Sequence, residues 1–169
     1  MPGNRIDAGR NDSVIAGVAA CGAPPVDGIA PDLKLAASRR RFRVGRAATP
    51  AEGTATAAAK QARRGTTLQL TLSEPAQVGF TVLRKAAGRK ARGRCVKPTR
   101  ANRARKRCTR RIRKGGFARS APAGSSKVKW SGRIGRRALR RGRYALRATP
   151  TDAAGNRGTR RSLAIRIVR

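Results

Sequence analysis

The chain contains no histidine. Imidazole is therefore missing as a general base, as a metal ligand and as a switch near neutral pH. Acidic residues are few: 7 Asp and Glu stand against 42 Lys and Arg, for a formal net charge of +35. These carboxylates are scattered, and no serine stands in a nucleophile-elbow pattern. The composition therefore reads as non-enzymatic, with no cofactor implied. Cysteine is limited to three residues, with no CxxC pair, which cannot supply the four ligands of an ordinary structural zinc site. No apolar run is long enough to cross a bilayer as a helix. Aromatic residues amount to Phe42, Phe80, Phe117, Trp130 and Tyr144. A core with so few large side chains is thin, and a covalent staple would help it.

What is present is period-two alternation. Tyr144, Leu146 and Ala148 alternate with polar neighbours, and so do Leu163, Ile165 and Ile167 after the cluster Thr151-Asp152-Ala153-Ala154-Gly155-Asn156. Two strands, each with one buried face and joined by a tight turn, are predicted. Thr67 to Leu72 and Gln77 to Val82 repeat the pattern around Ser73-Glu74-Pro75. So short a link predicts a hairpin. Leu33, Leu35, Phe42 and Val44 outline a first strand, broken at Ser38. Gly116 to Ala118 is a weak strand and Lys127 to Trp130 a better one, and Leu139 is an inward anchor in the turn that follows. The Ala-rich run Ala55 to Ala62 fits a loop or a short helix equally. About seven short strands and no convincing helix predict an all-β, antiparallel β-sandwich over residues 32–169. Leu70, Phe80, Trp130, Tyr144, Leu146 and Ile165 are its expected core.

Residues 1–31 read separately, as a tail and linker that is disordered or the remnant of an upstream repeat. Val18-Ala19-Ala20-Cys21 matches a lipobox, after Arg5 and Arg10; a chance match in an Ala-rich chain is the competing reading. No clear signal peptide accompanies it.

Between Arg84 and Lys114 the apolar pattern stops. This insertion carries 16 Lys and Arg, no acid, and both Cys95 and Cys108. Charge so dense does not condense into a core and is expected to extend into solvent. Two cysteines in so polar a stretch favour a disulfide over buried free thiols, pinching the base of the insertion or folding it into a hairpin. A disulfide implies an oxidising compartment. The candidate polyanion contacts are Arg92, Arg94, Arg100, Arg103, Arg105, Lys106, Arg107, Arg110, Arg111 and Arg113. The competing reading is a solvated loop whose arginines reflect a GC-rich genome. No aromatic residue interleaves these cations, so a stacking platform for single-stranded nucleic acid is missing.

LSEPAQVGFTV (Leu72 to Val82) followed by GRYALRATPTDAAGN (Gly142 to Asn156) resembles the bacterial immunoglobulin-like and fibronectin type III-like modules of secreted and surface proteins, especially those of actinobacteria. The basic insertion with its paired cysteines resembles one variety of that module. The chain departs from the pattern at Pro150, where the family usually has alanine; a bulge or edge is expected there. The resemblance implies an Ig-like sandwich, part of or derived from a longer multi-domain protein, with a structural or adhesive role outside the cell. Its expected partners are anionic polysaccharide, wall polymer or a membrane surface. The alternative is an intracellular Arg-rich protein that binds nucleic acid without sequence preference.

At the closing turn, Asp152, Gly155 and Asn156 admit a calcium reading and a structural one. Calcium wants six to eight oxygen ligands, and no other acid lies nearby in sequence. The structural reading is preferred: Asp152 bonds the turn backbone while Gly155 and Asn156 accept positive φ. Tyr144 reads as a corner tyrosine that bonds back to the main chain.

Overall fold

The computed structural model describes residues 28–56 and 64–169, and these residues are all β, with eleven strands and no helix. Three strands form one antiparallel sheet in the order β1 (Leu33–Ala37), β3 (Thr66–Leu72), β7 (Gly124–Trp130). The second sheet runs β2 (Arg41–Arg43), β11 (Arg161–Val168), β10 (Gly142–Thr151), β4 (Ala76–Ala91), with β6 (Arg107–Ala121) along the other side of β4. A short β5 (Arg94–Val96) returns along the far end of β4. The two-residue strands β8 (Arg133–Ile134) and β9 (Arg137–Ala138) make a small ribbon. Residues 1–27 of the expected tail and linker (1–31), the Cys21 lipobox match and most of the Ala-rich run lie outside the described residues.

Alternation does the folding. Leu68, Leu70 and Leu72 of β3 face inward, as do Val78, Phe80 and Val82 of β4 and Tyr144, Leu146 and Ala148 of β10. β10 and β11 pair as predicted, with Tyr144 opposite Ile165 and Leu146 opposite Leu163. Both sheets feed one hydrophobic cluster, which contains all six expected core residues. The few aromatics concentrate there. Phe80 stacks on Phe117 at 4.7 Å, and Trp130 lies 5.8 Å from both Phe117 and Phe42. The indole Nε1 of Trp130 donates to the Arg133 carbonyl at 2.9 Å, so its polar atom is satisfied inside the core.

Four expectations are corrected or narrowed. The link Ser73-Glu74-Pro75 does not make a hairpin, because β3 and β4 belong to different sheets. Both edges of β3 are taken by β1 and β7, and both edges of β4 by β10 and β6. The two alternating segments face each other across the core instead of sharing a ladder. The break at Ser38 is likewise a change of sheet. Ser38 N donates to the Thr67 carbonyl on one side, while Arg166 N takes the Arg40 carbonyl on the other. Of the bulge or edge expected at Pro150, the bulge is not found, since β10 keeps its register with β4 through Thr151, whereas its ladder with β11 ends at Ala148. The Pro150 carbonyl accepts from Gly158, so its nitrogen faces the side where the β11 ladder has ended. No ladder bond is lost to the missing N–H. Finally, of the two forms expected for residues 84–114, a loop pinched at its base and a hairpin, the structure has the hairpin. β4 has 16 residues and β6 has 15, and they stay paired out to Arg89 and Arg107. The weak strand at Gly116 to Ala118 is the middle of that long β6.

The ladder of β4 and β6 holds one irregularity. Val82 pairs with Gly115 and Leu83 with Arg113, leaving Lys114 as an extra residue on β6. Below this bulge the odd-numbered residues of β6, including Phe117, face the core. Above it the odd-numbered residues Arg113, Arg111 and Arg107 share a face with Leu83, Lys85 and Arg89 of β4, on the outer side of the sheet.

Candidate polyanion-binding surface

The long ends of β4 and β6, with β5, form an arm that projects past the cluster. Cys95 and Cys108 are joined in a disulfide with Cα atoms 6.0 Å apart. Cys95 pairs with Lys90 on one side of β4, and Cys108 with Gly88 on the other. The bond therefore straps across the face of β4 near the arm's tip; it does not pinch the base. Gly88 lies buried under the strap. A Cβ there would sit 2.5 Å from the Cys95 Sγ and 2.7 Å from Cγ of Arg110, so glycine is required by space. The connection from β5 to β6 is tied locally. Asn102 Oδ1 accepts from Thr99 N at 2.7 Å, and its amide donates to the Lys97 carbonyl at 3.0 Å. Arg89 Nη1 donates to the Arg105 carbonyl at 3.0 Å.

The expected contacts divide by position. Arg92, Arg94, Arg100, Arg103, Arg105 and Lys106 lie at the tip, in β5 and the turns around it. Arg107, Arg111 and Arg113 lie on the outer face of the ribbon, and Arg110 on the face that carries the disulfide. Ten candidates chosen as one cluster are thus distributed over the tip and two faces.

Edge protection is visible on β6. Residues 51–55 cover its lower part, with Ala118 N bonding the Ala51 carbonyl and Ser120 N the Gly53 carbonyl. Arg119 points inward from this edge and is 6 % exposed. Its Nη1 donates to the Pro50 and Ala118 carbonyls, and its guanidinium lies 5.1 Å from the Phe117 ring centre. Burial lowers its pKa from the usual arginine value. An inward charge on an edge strand discourages pairing with another chain.

The closing turn is filled by its own atoms. Asp152 Oδ1 accepts from Asn156 N at 2.8 Å and Oδ2 from the Asn156 amide at 2.9 Å. Gly155 takes a φ of 90°, and Asn156, against expectation, does not have a positive φ. Burial pushes the Asp152 carboxyl upward, but the hydrogen bonds from Asn156 and the turn backbone outweigh it, and the net shift is downward. Tyr144 donates from its hydroxyl to the Arg140 carbonyl at 2.6 Å, the expected corner, and burial raises its pKa. Among the described residues, Arg161 pairs with Asp32 at 2.9 Å. That bond holds the Asp32 carboxyl below its usual range.

Comparison of the chain with protein-family models, curated proteins and solved structures found no match.

Proposed function

We propose that this chain is a non-enzymatic, exported module on an immunoglobulin-like β-sandwich, structural or adhesive in role, that holds anionic wall polymer through its basic arm. The arm carries the reading: 16 cations without one acid, displayed on a paired ribbon and strapped by a disulfide. A composition-driven loop needs no such construction. The strand orders β1-β3-β7 and β2-β11-β10-β4-β6, with a corner tyrosine on β10, support the Ig-like part. The disulfide supports the exported part, since such bonds persist in oxidising compartments.

Titration against purified wall polymer at increasing salt tests the proposal. Binding that weakens linearly on a log–log plot is expected, as counterion release requires. Native material should be lighter by about two daltons than its reduced form. Free thiols in native protein, or tight, salt-resistant and sequence-selective binding to duplex DNA, would replace this reading with the intracellular one. Absence of polymer binding at low salt would remove it.

A further inference from the structure

The densest organised charge lies at the root of the arm, where the register lines up one residue from each of five strands. Arg111 of β6 is opposite Lys85 of β4, Lys85 opposite Arg143 of β10, Arg143 opposite Arg166 of β11, and Arg166 opposite Arg41 of β2. Directly opposed residues share a face. This is the outer face, because the neighbours Tyr144, Ile167 and Phe42 point into the core. The five cations thus form one rung across the sheet. At the usual strand spacing it spans about 19 Å. Lys85, Arg111 and Arg143 line one shallow groove, and Arg41, Arg143 and Arg166 line a second, so the two meet at Arg143. Among the described residues none of the five has an ion-pair partner.

Two further observations mark this face. Leu83 and Ala145 are buried at 7 % and 5 % exposure yet lie outside the core cluster, on the outer side next to the rung. The long stems that share their face, Arg113, Arg143 and Arg147, are the available cover. Arg147 is also crowded. Burial, then Arg160 and Arg111, lower its pKa from the usual arginine value. Like charges have been packed here without neutralisation, and a bound anion would relieve them.

Resting on the proposed function and going beyond it, we infer that the rung Arg41–Arg166–Arg143–Lys85–Arg111 is the principal binding surface, and that its ligand is a flexible polyol-phosphate chain lying across the strands. Four of the five cations are arginine, whose planar fork suits phosphate oxygens in pairs. A linear chain of phosphodiesters matches a linear rung. Nucleic acid fits less well, because all five aromatic side chains are buried and offer bases nothing to stack on.

The test uses the full chain and a fluorescent poly(glycerol phosphate) oligomer, followed by anisotropy across a salt series. The triple variant Arg41→Gln/Arg143→Gln/Arg166→Gln is compared with Arg100→Gln/Arg103→Gln/Arg105→Gln, which removes equal charge from the tip. All three rung positions are exposed, and circular dichroism checks that the fold is kept. The rung variant is expected to weaken binding at least about tenfold at low salt and to reduce the salt slope by about 2, with the tip variant losing much less. Equal losses in both variants, or a larger loss at the tip, would overturn the rung while leaving the arm as a polyanion contact. Tighter, rung-dependent binding to a duplex DNA of matched charge would overturn the ligand class. Failure of the wild-type chain to bind the oligomer, with wall polymer still bound, would also overturn the ligand class. Failure with both would remove the proposed function itself.

Discussion

β4 and β6 are one ladder held together in two different ways. Between Ala76 and Val82 the pairing is backed by buried side chains, with Phe80 stacked on Phe117 and Val78 and Val82 fully enclosed. Between Arg84 and Ala91 the same two strands carry mostly arginine, lysine and alanine, and the enclosed residue near the tip is a glycine beneath a disulfide. Backbone hydrogen bonds are the same in both halves, but their net worth in water is small. The lower half adds apolar burial, whereas the upper half adds a covalent strap. A β-ribbon can therefore leave its core behind, provided that something else holds its tip.

The largest expected effect is on the lower half. Trp130→Ala removes the residue that meets both Phe42 and Phe117 and should cost about 3–5 kcal/mol in denaturant unfolding. The arm has no separate cluster, so its amide protection should collapse in the same transition. An arm that stayed protected would show it to be an independent unit.

Removing the strap should act on the other half. Cys95→Ser/Cys108→Ser is expected to take roughly 3 kcal/mol from the arm alone. Hydrogen exchange should rise in residues 86–110 while the unfolding midpoint of the core barely moves. An equal loss in both halves would end the distinction between them.

A smaller effect is expected from Gly88→Val, which keeps both cysteines but puts a side chain under the bond. Overpacking of this kind costs about 1–3 kcal/mol. It should appear as incomplete oxidation, read by thiol titration. Complete oxidation and unchanged exchange would mean that the strap has more room than its 2.5 Å approach to a Cβ indicates.

The smallest effect concerns the closing turn. The Asp152 carboxyl has a lowered pKa in the folded state. Such a group adds stability that is fully present above its unfolded value, about 4, and is lost as pH falls from there through the folded value. Asp152→Asn should therefore flatten the acid limb of stability and lower stability at pH 7 by the contribution this linkage supplies, with variant and wild type converging at low pH. An unchanged acid limb would show that other carboxylates govern it.

The core was legible because period two is enough to say which side chains face inward. Leu70, Phe80, Tyr144 and Ile165 were found by that rule. Period two does not say which strand is the neighbour. Ser73-Glu74-Pro75 looked like a hairpin link for that reason, and only the occupancy of both edges of β4 decides otherwise. The arm was hidden for a different reason. Alternation is visible only when the two faces differ in polarity, and in the arm both faces carry cations. The rung was hidden most deeply. Arg41 and Arg166 stand 125 positions apart and become neighbours through a parallel pairing of a three-residue strand. No local pattern marks them beyond each being an outward position of a strand.

Lys114 acts as an instrument of phase. A strand with period two has two possible settings, and one added residue exchanges them. Because of that addition, β6 enters the core presenting Phe117 and leaves it presenting Arg111 on the opposite side. Were Lys114 instead taken into the ladder opposite Leu83, Arg107, Arg111 and Arg113 would turn to the other face and Cys108, Arg110 and Ile112 would come outward. Cys108 would then no longer share a face with Cys95, and the rung would lose its outermost member. Composition sets how much charge this protein has; a single uncounted residue in a ladder sets where that charge is delivered.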